Sequence, residues 1–257
     1  MLLAIDIGNT NITLGFWDGQ AWQQQWRLST VHEKTADEYG LVLRGLLQET
    51  GGLKAVHHAI FCSVVPTLSS TLAEASRRYL ACDALEINYL SNLGIQIRTD
   101  NPAAVGADRL VNAAAAHMLW REPAIVVDMG TATKLDVITA AGEFLGGVIA
   151  PGLRLAADAL SGRAARLSHV ALEAPPRVLG RNTVHAMQSG LIFGYVSLIE
   201  GLLHRLQQEH PDQHRPLRVI GTGGLIHLIA PHTTTITDVD PWLTLTGLRL
   251  IYERITR

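Results

Sequence analysis

The sequence contains one strand–turn–strand pattern twice, and this internal repeat restricts the possible folds more than any other feature. Asp6 and Asp128 each end a short apolar run, and each is followed by a glycine and by hydroxyl or amide side chains. Aligning the two aspartates places Gly8 on Gly130. A duplicated strand meander followed by helices predicts an α/β protein of two similar lobes. Facing each other, such lobes would bring both aspartate turns to the mouth of a shared cleft.

Hydrophobic periodicity supplies the remaining elements. Apolar runs predict strands over residues 2–5, 11–17, 21–28, 58–64, 124–127, 133–139, 143–149 and 217–220. Helical spacing predicts helices over residues 35–48, 67–80, 110–119, 153–160, 184–209, 225–229 and 242–254. Thr35 and Glu38 have the spacing of a capping box at the start of the first helix. The repeat divides the chain into a first lobe over 1–115 and a second over 116–257.

Composition excludes several classes of function. The 257 residues are 47% hydrophobic, and the formal net charge of −2 provides no strong positive field for nucleic acid or a membrane. Cys62 and Cys82 have neither metal-site spacing nor the density of a disulfide scaffold, which indicates buried thiols in a reducing compartment. Asp6 interrupts the first apolar run too early for a signal peptide or a membrane span. We therefore expect a cytoplasmic protein that acts on small molecules.

The first turn, Asp6–Asn11, reads DIGNTN. Its glycine allows close backbone approach, so successive amides can converge on phosphate oxygens, and Asn9 and Thr10 add side-chain donors. Asp6 would repel phosphate unless Mg²⁺ bridges the two, so a metal–nucleotide is the natural ligand. An ordinary hairpin turn is the alternative for one copy alone, and the second copy favours function.

The second turn repeats this design with Asp128, Gly130, Thr131 and Thr133. Thr131 can donate to a phosphate oxygen, and Asp128 can hold a cation. The segment Gly221–Gly224, GTGG, lies between an apolar strand and a helix, so its amides can face a nucleotide. Alone it is a weak signal.

Between the two halves, Gly106–Arg109 opens a predicted helix. Asp108 can accept a proton from a substrate hydroxyl, and Arg109 can bind a carboxylate or phosphate through its planar guanidinium group. Asp108 can instead simply cap the helix and stabilise its dipole. The eleven histidines show no metal-ligand spacing, and we expect His57, His58, His204, His210 and His214 at the surface.

The ordered set of motifs resembles the type III pantothenate kinases of the acetate and sugar kinase/Hsp70/actin superfamily. It spans nearly the whole chain: DIGNTN at 6–11, TADEY at 35–39, SVVP at 63–66, DNP and GADR at 100–109, DMGTAT at 128–133, GGVIAPG at 146–152, GRNT at 180–183, TGG at 222–224 and LTLTGL at 243–248. The resemblance implies duplicated actin-like (ribonuclease H-like) lobes with an ATP cleft between them. It also implies ATP-dependent phosphorylation of pantothenate to 4′-phosphopantothenate, the first step of coenzyme A biosynthesis.

The resemblance further implies roles for particular residues. Asp108 is the proton acceptor, and Asp128 holds a monovalent cation, K⁺ or NH₄⁺, in addition to the Mg²⁺ that accompanies ATP. The implied ATP-binding residues are Asp6, Ile7, Gly8, Asn9, Thr10, Asn11, Ile12, Thr13 and Thr131. The implied pantothenate-binding residues are Thr99, Gly106, Ala107, Asp108, Arg109 and Thr183. A homodimer with the substrate site near the subunit interface is also implied.

Two residues depart from the family pattern. Thr99 occupies a position where the family usually has tyrosine, which removes one aromatic wall from the pantothenate pocket. Lys134, one of only three lysines, occupies a position where threonine is usual. Lys134 and Asp136 share one face of a strand, so a plain ion pair between them is one interpretation. The other is that the Lys134 ammonium replaces the monovalent cation at Asp128.

Two other functions are compatible with parts of this pattern. A nucleotide-binding scaffold would keep the ATP cleft without phosphoryl transfer, but it has no need of an acid–base residue such as Asp108. A sugar or acetate kinase would share the glycine turns. The GADR and GRNT segments resemble the pantothenate kinases specifically. Stimulation of ATP consumption by pantothenate separates the kinase from the scaffold.

Overall fold

Two mixed β-sheets with helices packed on them form the protein in the computed structural model, which describes residues 1–49, 51–52, 55–163 and 170–257. The side chain of Arg163 and the lysine Lys54 lie outside the described part. Two compact units are present. The first contains Met1–Ile95, Asp100–Met118 and Thr244–Arg257, and the second contains Gln96–Thr99 and Leu119–Leu243.

The first unit has a five-stranded sheet in the order β3-β2-β1-β4-β5. Its strands are β1 (Leu2–Ile7), β2 (Asn11–Trp17), β3 (Trp22–Ser29), β4 (His58–Ser63) and β5 (Ala84–Ile87). Its helices are α1 (Ala36–Glu49), α2 (Pro66–Leu80), α3 (Ala107–Trp120) and α7 (Leu243–Ile255). The last two residues of α3 and the first residue of α7 are counted in the second unit. The strands β1 to β3 form an antiparallel meander, and β4 and β5 are added in parallel.

The second unit has a six-stranded sheet in the order β11-β10-β7-β8-β9-β6. Its strands are β6 (Gln96–Ile97), β7 (Ala124–Met129), β8 (Ala132–Ile138), β9 (Glu143–Pro151), β10 (Arg218–Thr222) and β11 (Asp238–Val239). Its helices are α4 (Leu153–Arg163), α5 (Thr183–Glu209) and the short α6 (Ile226–Ile229). The strands β7 to β9 form an antiparallel meander, and β10 and β11 extend the sheet in parallel.

The two sheets share one topology, which confirms the duplication predicted from the sequence. Reading outward from the meander, β3-β2-β1-β4-β5 corresponds to β9-β8-β7-β10-β11, and β6 is an additional edge strand. Gly19 and Gly142 have φ of 111° and 81°, which suits glycine at the hairpin turns. At the first hairpin, the backbone N–H groups of Ala21 and Gln20 bind the Asp18 carboxylate and lower its pKa.

Each unit has its own hydrophobic core. In the first, α1 and α2 cover one sheet face through side chains such as Leu43, Leu47 and Leu72. In the second, α5 is the main covering element through Ile192 and Ile199. By length and composition α5 could cross a membrane, but half of its apolar window is buried inside the protein, as expected for a core helix.

Nearly all predicted elements are confirmed, with boundaries shifted by a few residues. The short strands β5, β6 and β11 were not predicted, because they have only two to four residues and carry no periodic pattern. The C-terminal helix α7 belongs to the first unit, whereas the sequence division assigned it to the second half. The division at residues 115 and 116 stays a prediction.

The surface position expected for His210 is wrong. His210 is 1% exposed, its Nε2 lies 3.2 Å from the carbonyl oxygen of Ile138, and its Nδ1 accepts the backbone N–H of Asp212 at 3.0 Å. The ring thus joins the end of α5 to the end of β8. His117 on α3 is buried as well. His210 lies one residue after α5, and the polar residues at the end of that helix suggested solvent exposure.

His210→Phe is expected to lower the free energy of unfolding by about 1–3 kcal/mol, because phenylalanine fills the space but removes the ring's hydrogen bonds to the buried Ile138 carbonyl and the partly buried Asp212 N–H. The control is His204→Phe, at an exposed position on the same helix, with an expected change within about 0.5 kcal/mol. Urea denaturation of both variants measures the difference. Equal losses would contradict the structural role of His210.

Candidate active site

The first aspartate turn lies between β1 and β2 and is fixed by backbone bonds. Gly8 donates its N–H to the Asn11 carbonyl at 3.0 Å, and the Thr30 hydroxyl donates to the Gly8 carbonyl at 2.6 Å. Asn9, Thr10 and Asn11 are exposed. Their donors are therefore presented to solvent on a rigid support, as a phosphate-binding turn requires.

Burial and strand pairing limit which groups of three predicted nucleotide-binding residues can reach a ligand. The side chains of Ile7 and Ile12 are fully buried, so these residues can offer a nucleotide only their backbone groups. Thr13 is half-buried and lies directly opposite Asp6 in the antiparallel ladder.

The TADEY segment supports the turn, a contribution that was not predicted from its sequence. The Tyr39 hydroxyl is bonded to both the N–H and the carbonyl of Val31, and the neighbouring Thr30 is bonded to the turn. The predicted capping box is confirmed: Glu38 accepts the N–H of Thr35 at 2.8 Å and donates its own N–H to the Thr35 hydroxyl. The Thr35 N–H is the main cause of the lowered pKa of Glu38.

Asp6 has a neighbour that sequence reasoning missed. Cys62 lies opposite Asp6 in the parallel β1–β4 pair, and its Sγ is 3.6 Å from Asp6 Oδ1. Both thiols, Cys62 and Cys82, are free and buried as expected, and burial raises the pKa of Cys82. The Cys62 contact could not be predicted from the sequence, because it depends on the register in which β1 pairs with β4.

The predicted Gly106–Arg109 segment lies near the first turn. Val64 donates its N–H to the Ile7 carbonyl at 3.0 Å, and a Cβ built on Gly106 would be 3.3 Å from Val64 Cγ1. Val64 therefore joins the end of β1 to the start of α3. In this way the first unit brings together Asp6, its turn and the half-buried Asp108 and Arg109.

Asp108 lies in the first turn of α3. Its contacts are compatible with a helix cap and also with a proton acceptor. Its Oδ1 accepts the backbone N–H of Arg109 at 2.8 Å, which is a helix-start interaction. The carboxylate also folds back over Gly106, where a Cβ would be 2.6 Å from Oδ1. One oxygen is thus held against the backbone, and a carboxylate fixed in this way is preorganised to accept a proton.

The second aspartate turn has a different electrostatic arrangement. Lys134 lies opposite Asp128 in the β7–β8 ladder, and its Nζ is 2.7 Å from Asp128 Oδ2. One interpretation of the sequence paired Lys134 with Asp136, two residues further along the strand, and the other placed its ammonium group at Asp128. The ion pair with Asp128 agrees with the second placement. Residues directly opposite on an antiparallel pair have closer Cβ atoms than residues two apart on one strand. Thr133 faces the core, with its hydroxyl directed to the Met129 sulfur.

The GTGG segment lies against this second turn, so the two motifs form one site in the second unit. Leu225 donates its N–H to the Met129 carbonyl at 3.2 Å. Gly223 has φ of 90°, and a Cβ there would be 2.6 Å from Asp128 Oδ1. The exposed Thr131 lies next to Gly130, at the tip of the turn.

Two predicted substrate residues lie elsewhere in the second unit. Thr99 follows β6 beside Gly146 of β9, and in the described part of the chain its buried hydroxyl oxygen has no hydrogen-bond partner. Thr183 is exposed at the start of α5, after Asn182, whose side chain accepts the His185 N–H at 2.9 Å. The predicted cleft between the lobes stays a prediction.

The side chains that could bind a metal ion at the first turn suit an ion that is bound together with a nucleotide. Within the described ranges, no group of three or more His, Cys, Asp or Glu side chains could hold a metal ion alone. Mg²⁺ in nucleotide sites is usually held by one or two carboxylates together with phosphates and waters. The single carboxylate of Asp6 beside an exposed phosphate-binding turn fits this pattern.

Comparisons with known proteins agree with the motifs. A model of the type III pantothenate kinase family matches residues 2–205. A type III pantothenate kinase of Moorella thermoacetica is 48% identical over 257 residues, which is 100% of both chains. Among solved structures, a conserved Baf family protein of Campylobacter jejuni has a TM-score of 0.61 at 21% identity, covering 99% and 98% of the two chains. ADP-bound MreB5 of Spiroplasma citri has a TM-score of 0.55 at 10% identity, covering 99% and 96%. The fold is thus a duplicated actin-like α/β fold.

Gly106→Ala is expected to displace the Asp108 carboxylate at a cost of about 1 kcal/mol or less, because the obstructing atom is the end of a side chain that can rotate. Gly152→Ala should cost about 1–3 kcal/mol or more, since its Cβ would overlap the backbone carbonyls of Thr131 and Gly130, which cannot rotate away. Urea denaturation compares the variants, and a crystal structure of Gly106→Ala locates the carboxylate. An unmoved carboxylate would contradict this account of the helix start.

Proposed function

Because the chain belongs to the type III pantothenate kinase family, we propose that it transfers the γ-phosphoryl group of ATP to the terminal hydroxyl of pantothenate. The product is 4′-phosphopantothenate, and the reaction is the first step of coenzyme A biosynthesis. The observation that carries the proposal is the full-length match together with the preorganised Asp108 beside the first turn. An acid–base residue held in this way favours a kinase over a nucleotide-binding scaffold.

ATP is bound by the first turn, Asp6–Thr13, with Thr131 of the second turn. Asn9, Thr10 and Asn11 donate through side chains and backbone, while Ile7 and Ile12 contribute only backbone groups because their side chains are buried. Phosphoryl transfer depends mainly on positioning and on neutralising phosphate charge. Thr30 binds the carbonyls of Gly8 and Thr10, so the turn can position the phosphates without a change in its own conformation.

Asp6 holds the Mg²⁺ that accompanies ATP. When bound, this ion neutralises charge on the β- and γ-phosphates. The Cys62 thiol beside Asp6 Oδ1 orients the carboxylate from the buried side.

Asp108 accepts the proton of the pantothenate hydroxyl as the bond to phosphorus forms. Arg109 binds an anionic group of the substrate through its guanidinium group, and Gly106 and Ala107 offer backbone contacts. Thr99 and Thr183 are the remaining substrate contacts. The buried hydroxyl of Thr99 is a polar group that a substrate atom can satisfy.

Asp108→Asn is expected to lower kcat by about 10²- to 10⁴-fold, because the amide cannot accept the proton. The KM for ATP and the free energy of unfolding should change little, since the amide oxygen can still accept the Arg109 N–H. Asp83→Asn, at an exposed surface ion pair with Arg77, is the control. The measurement is ATP consumption with and without pantothenate.

The outcomes of this assay separate two failures. If pantothenate does not stimulate ATP consumption by the wild-type protein, the kinase function is wrong. If it does, and Asp108→Asn retains more than about a tenth of wild-type kcat, the kinase function stands and the proton acceptor is another group.

The enzyme forms a homodimer through the second unit. Large apolar side chains are exposed on the segments around the first half of α5: Ile149, Leu155, Leu160, Val178, Leu179 and Val184. The Ser189 hydroxyl binds the Val178 carbonyl, and the Tyr195 hydroxyl binds the Pro151 carbonyl, so these segments are attached to α5. A cluster of exposed apolar side chains favours a protein–protein contact.

The exposed face of α5 also suits close packing against a second helix. Its exposed small residues recur every three or four positions: Ala186, Gly190, Gly194, Ser197 and Gly201. A Cβ on Gly190, Gly194 or Gly201 would meet no atom within 4 Å. The fold of one chain therefore does not require glycine at these positions, and contact with a second copy gives a reason for them.

Gly194→Arg is expected to convert the dimer to a monomer, because a long cation on this face prevents close approach of a second chain. Gly45→Arg is the matched control, since Gly45 is also exposed in a helix, α1, with open space around it. Sedimentation equilibrium should give twice the chain mass for the wild type and for Gly45→Arg. A monomeric wild type, or a dimeric Gly194→Arg, would count against this interface.

The cytoplasm is the expected compartment, because ATP is available there and both cysteines of the chain are free thiols.

A further inference from the structure

A positively charged side chain, Lys134, lies next to Asp128 at the second turn. Lys134 and Asp128 face each other across the β7–β8 ladder, with Nζ 2.7 Å from Oδ2. The two side chains are only 14% and 13% exposed. The pair is therefore much less screened by solvent than a surface ion pair, and removing one member would leave a poorly solvated charge.

The other oxygen of Asp128 is enclosed by glycine backbone. A Cβ on Gly223 would be 2.6 Å from Oδ1, and one on Gly130 would be 3.5 Å from it. Asp128 thus directs Oδ1 to the GTGG segment and Oδ2 to the ammonium group. The arrangement fixes the carboxylate, and with it the place of the positive charge.

The internal repeat shows that this charge is particular to the second turn. In the first unit the residue opposite Asp6 is Thr13, and in the second unit the residue opposite Asp128 is Lys134. The two strands are equivalent in the duplicated topology. Threonine therefore satisfies the fold at this position, and the lysine adds a charge that the strand itself does not need.

A carboxylate beside a phosphate-binding turn repels the phosphates of a nucleotide unless a cation balances it. A monovalent metal ion bound at Asp128 Oδ2 would have to displace the ammonium group or lie beside a like charge. The residues present consequently do not fit the separate K⁺ or NH₄⁺ ion that the family resemblance implied at Asp128.

We propose that the Lys134 ammonium is the resident cation at Asp128, so that nucleotide binding at this turn requires no monovalent metal ion. The proposal rests on the proposed function only in taking the second turn as part of the ATP site. Lys134→Thr, which restores the residue of the first repeat, opens the position to a small cation from solution.

The test measures ATP affinity by calorimetry in the chlorides of K⁺, NH₄⁺ and tetramethylammonium at equal ionic strength, without pantothenate. For the wild type, the Kd should differ less than about twofold among the salts. For Lys134→Thr, we expect a Kd at least about tenfold weaker in tetramethylammonium, with recovery in K⁺ or NH₄⁺. Thermal unfolding in the same salts should follow this pattern, with a rise in Tm in K⁺ for the variant alone.

Two control variants distinguish the effect of opening a cation site at residue 134 from the effect of merely removing a positive charge. Lys34→Thr removes the other lysine of the described chain and should leave the salt response unchanged. Lys134→Met removes the charge while filling the space, and should bind ATP weakly in every salt.

The proposal is overturned if wild-type ATP affinity depends on K⁺, or if folded Lys134→Thr does not recover in K⁺ or NH₄⁺. If Lys134→Thr does not fold in any salt, the wild-type titration decides: K⁺ dependence refutes the proposal and independence supports it. Neither readout requires phosphoryl transfer, so an absence of pantothenate-stimulated turnover would refute the proposed function and leave this result standing.

Discussion

Hydrogen bonding of the central strand on both of its edges is the constraint on which the two candidate turns depend. In each unit this strand, β1 or β7, pairs with an antiparallel neighbour and a parallel one and is buried almost throughout. Its last residues cannot shift without breaking both ladders. Asp6 and Asp128 are therefore fixed in space by backbone pairing, and their neighbours decide how each carboxylate acts.

The elements could be predicted because their signals are local. Long apolar runs, the capping box of Thr35 and Glu38 and the turn glycine Gly19 each specify a conformation within a few residues. The order of motifs identified the family, and the repeat indicated the fold before any contact was known. These parts of the structure depend on periodicity and turn chemistry, which a single sequence contains.

What could not be predicted depends on contacts between segments distant in sequence, or on register. Cys62 reaches Asp6 from the neighbouring strand β4, and Val64 joins the first turn to α3. His210 was expected at the surface because its neighbours are polar, but its ring completes bonds to β8. The sequence left Lys134 two possible partners, Asp136 on its own strand and Asp128, and only the ladder register shows that Asp128 lies directly opposite it.

The exposed glycines of α5 affect how the second unit is held together. In a helix, glycine costs about 1 kcal/mol relative to alanine, so Gly190, Gly194 and Gly201 together weaken the longest helix by about 3 kcal/mol. The same helix supplies much of the core through Ile192 and Ile199. Cohesion of this unit consequently comes from side-chain packing and not from the intrinsic tendency of α5 to be helical. The buried side chains of α5 therefore have to offset this cost through their contacts with the sheet.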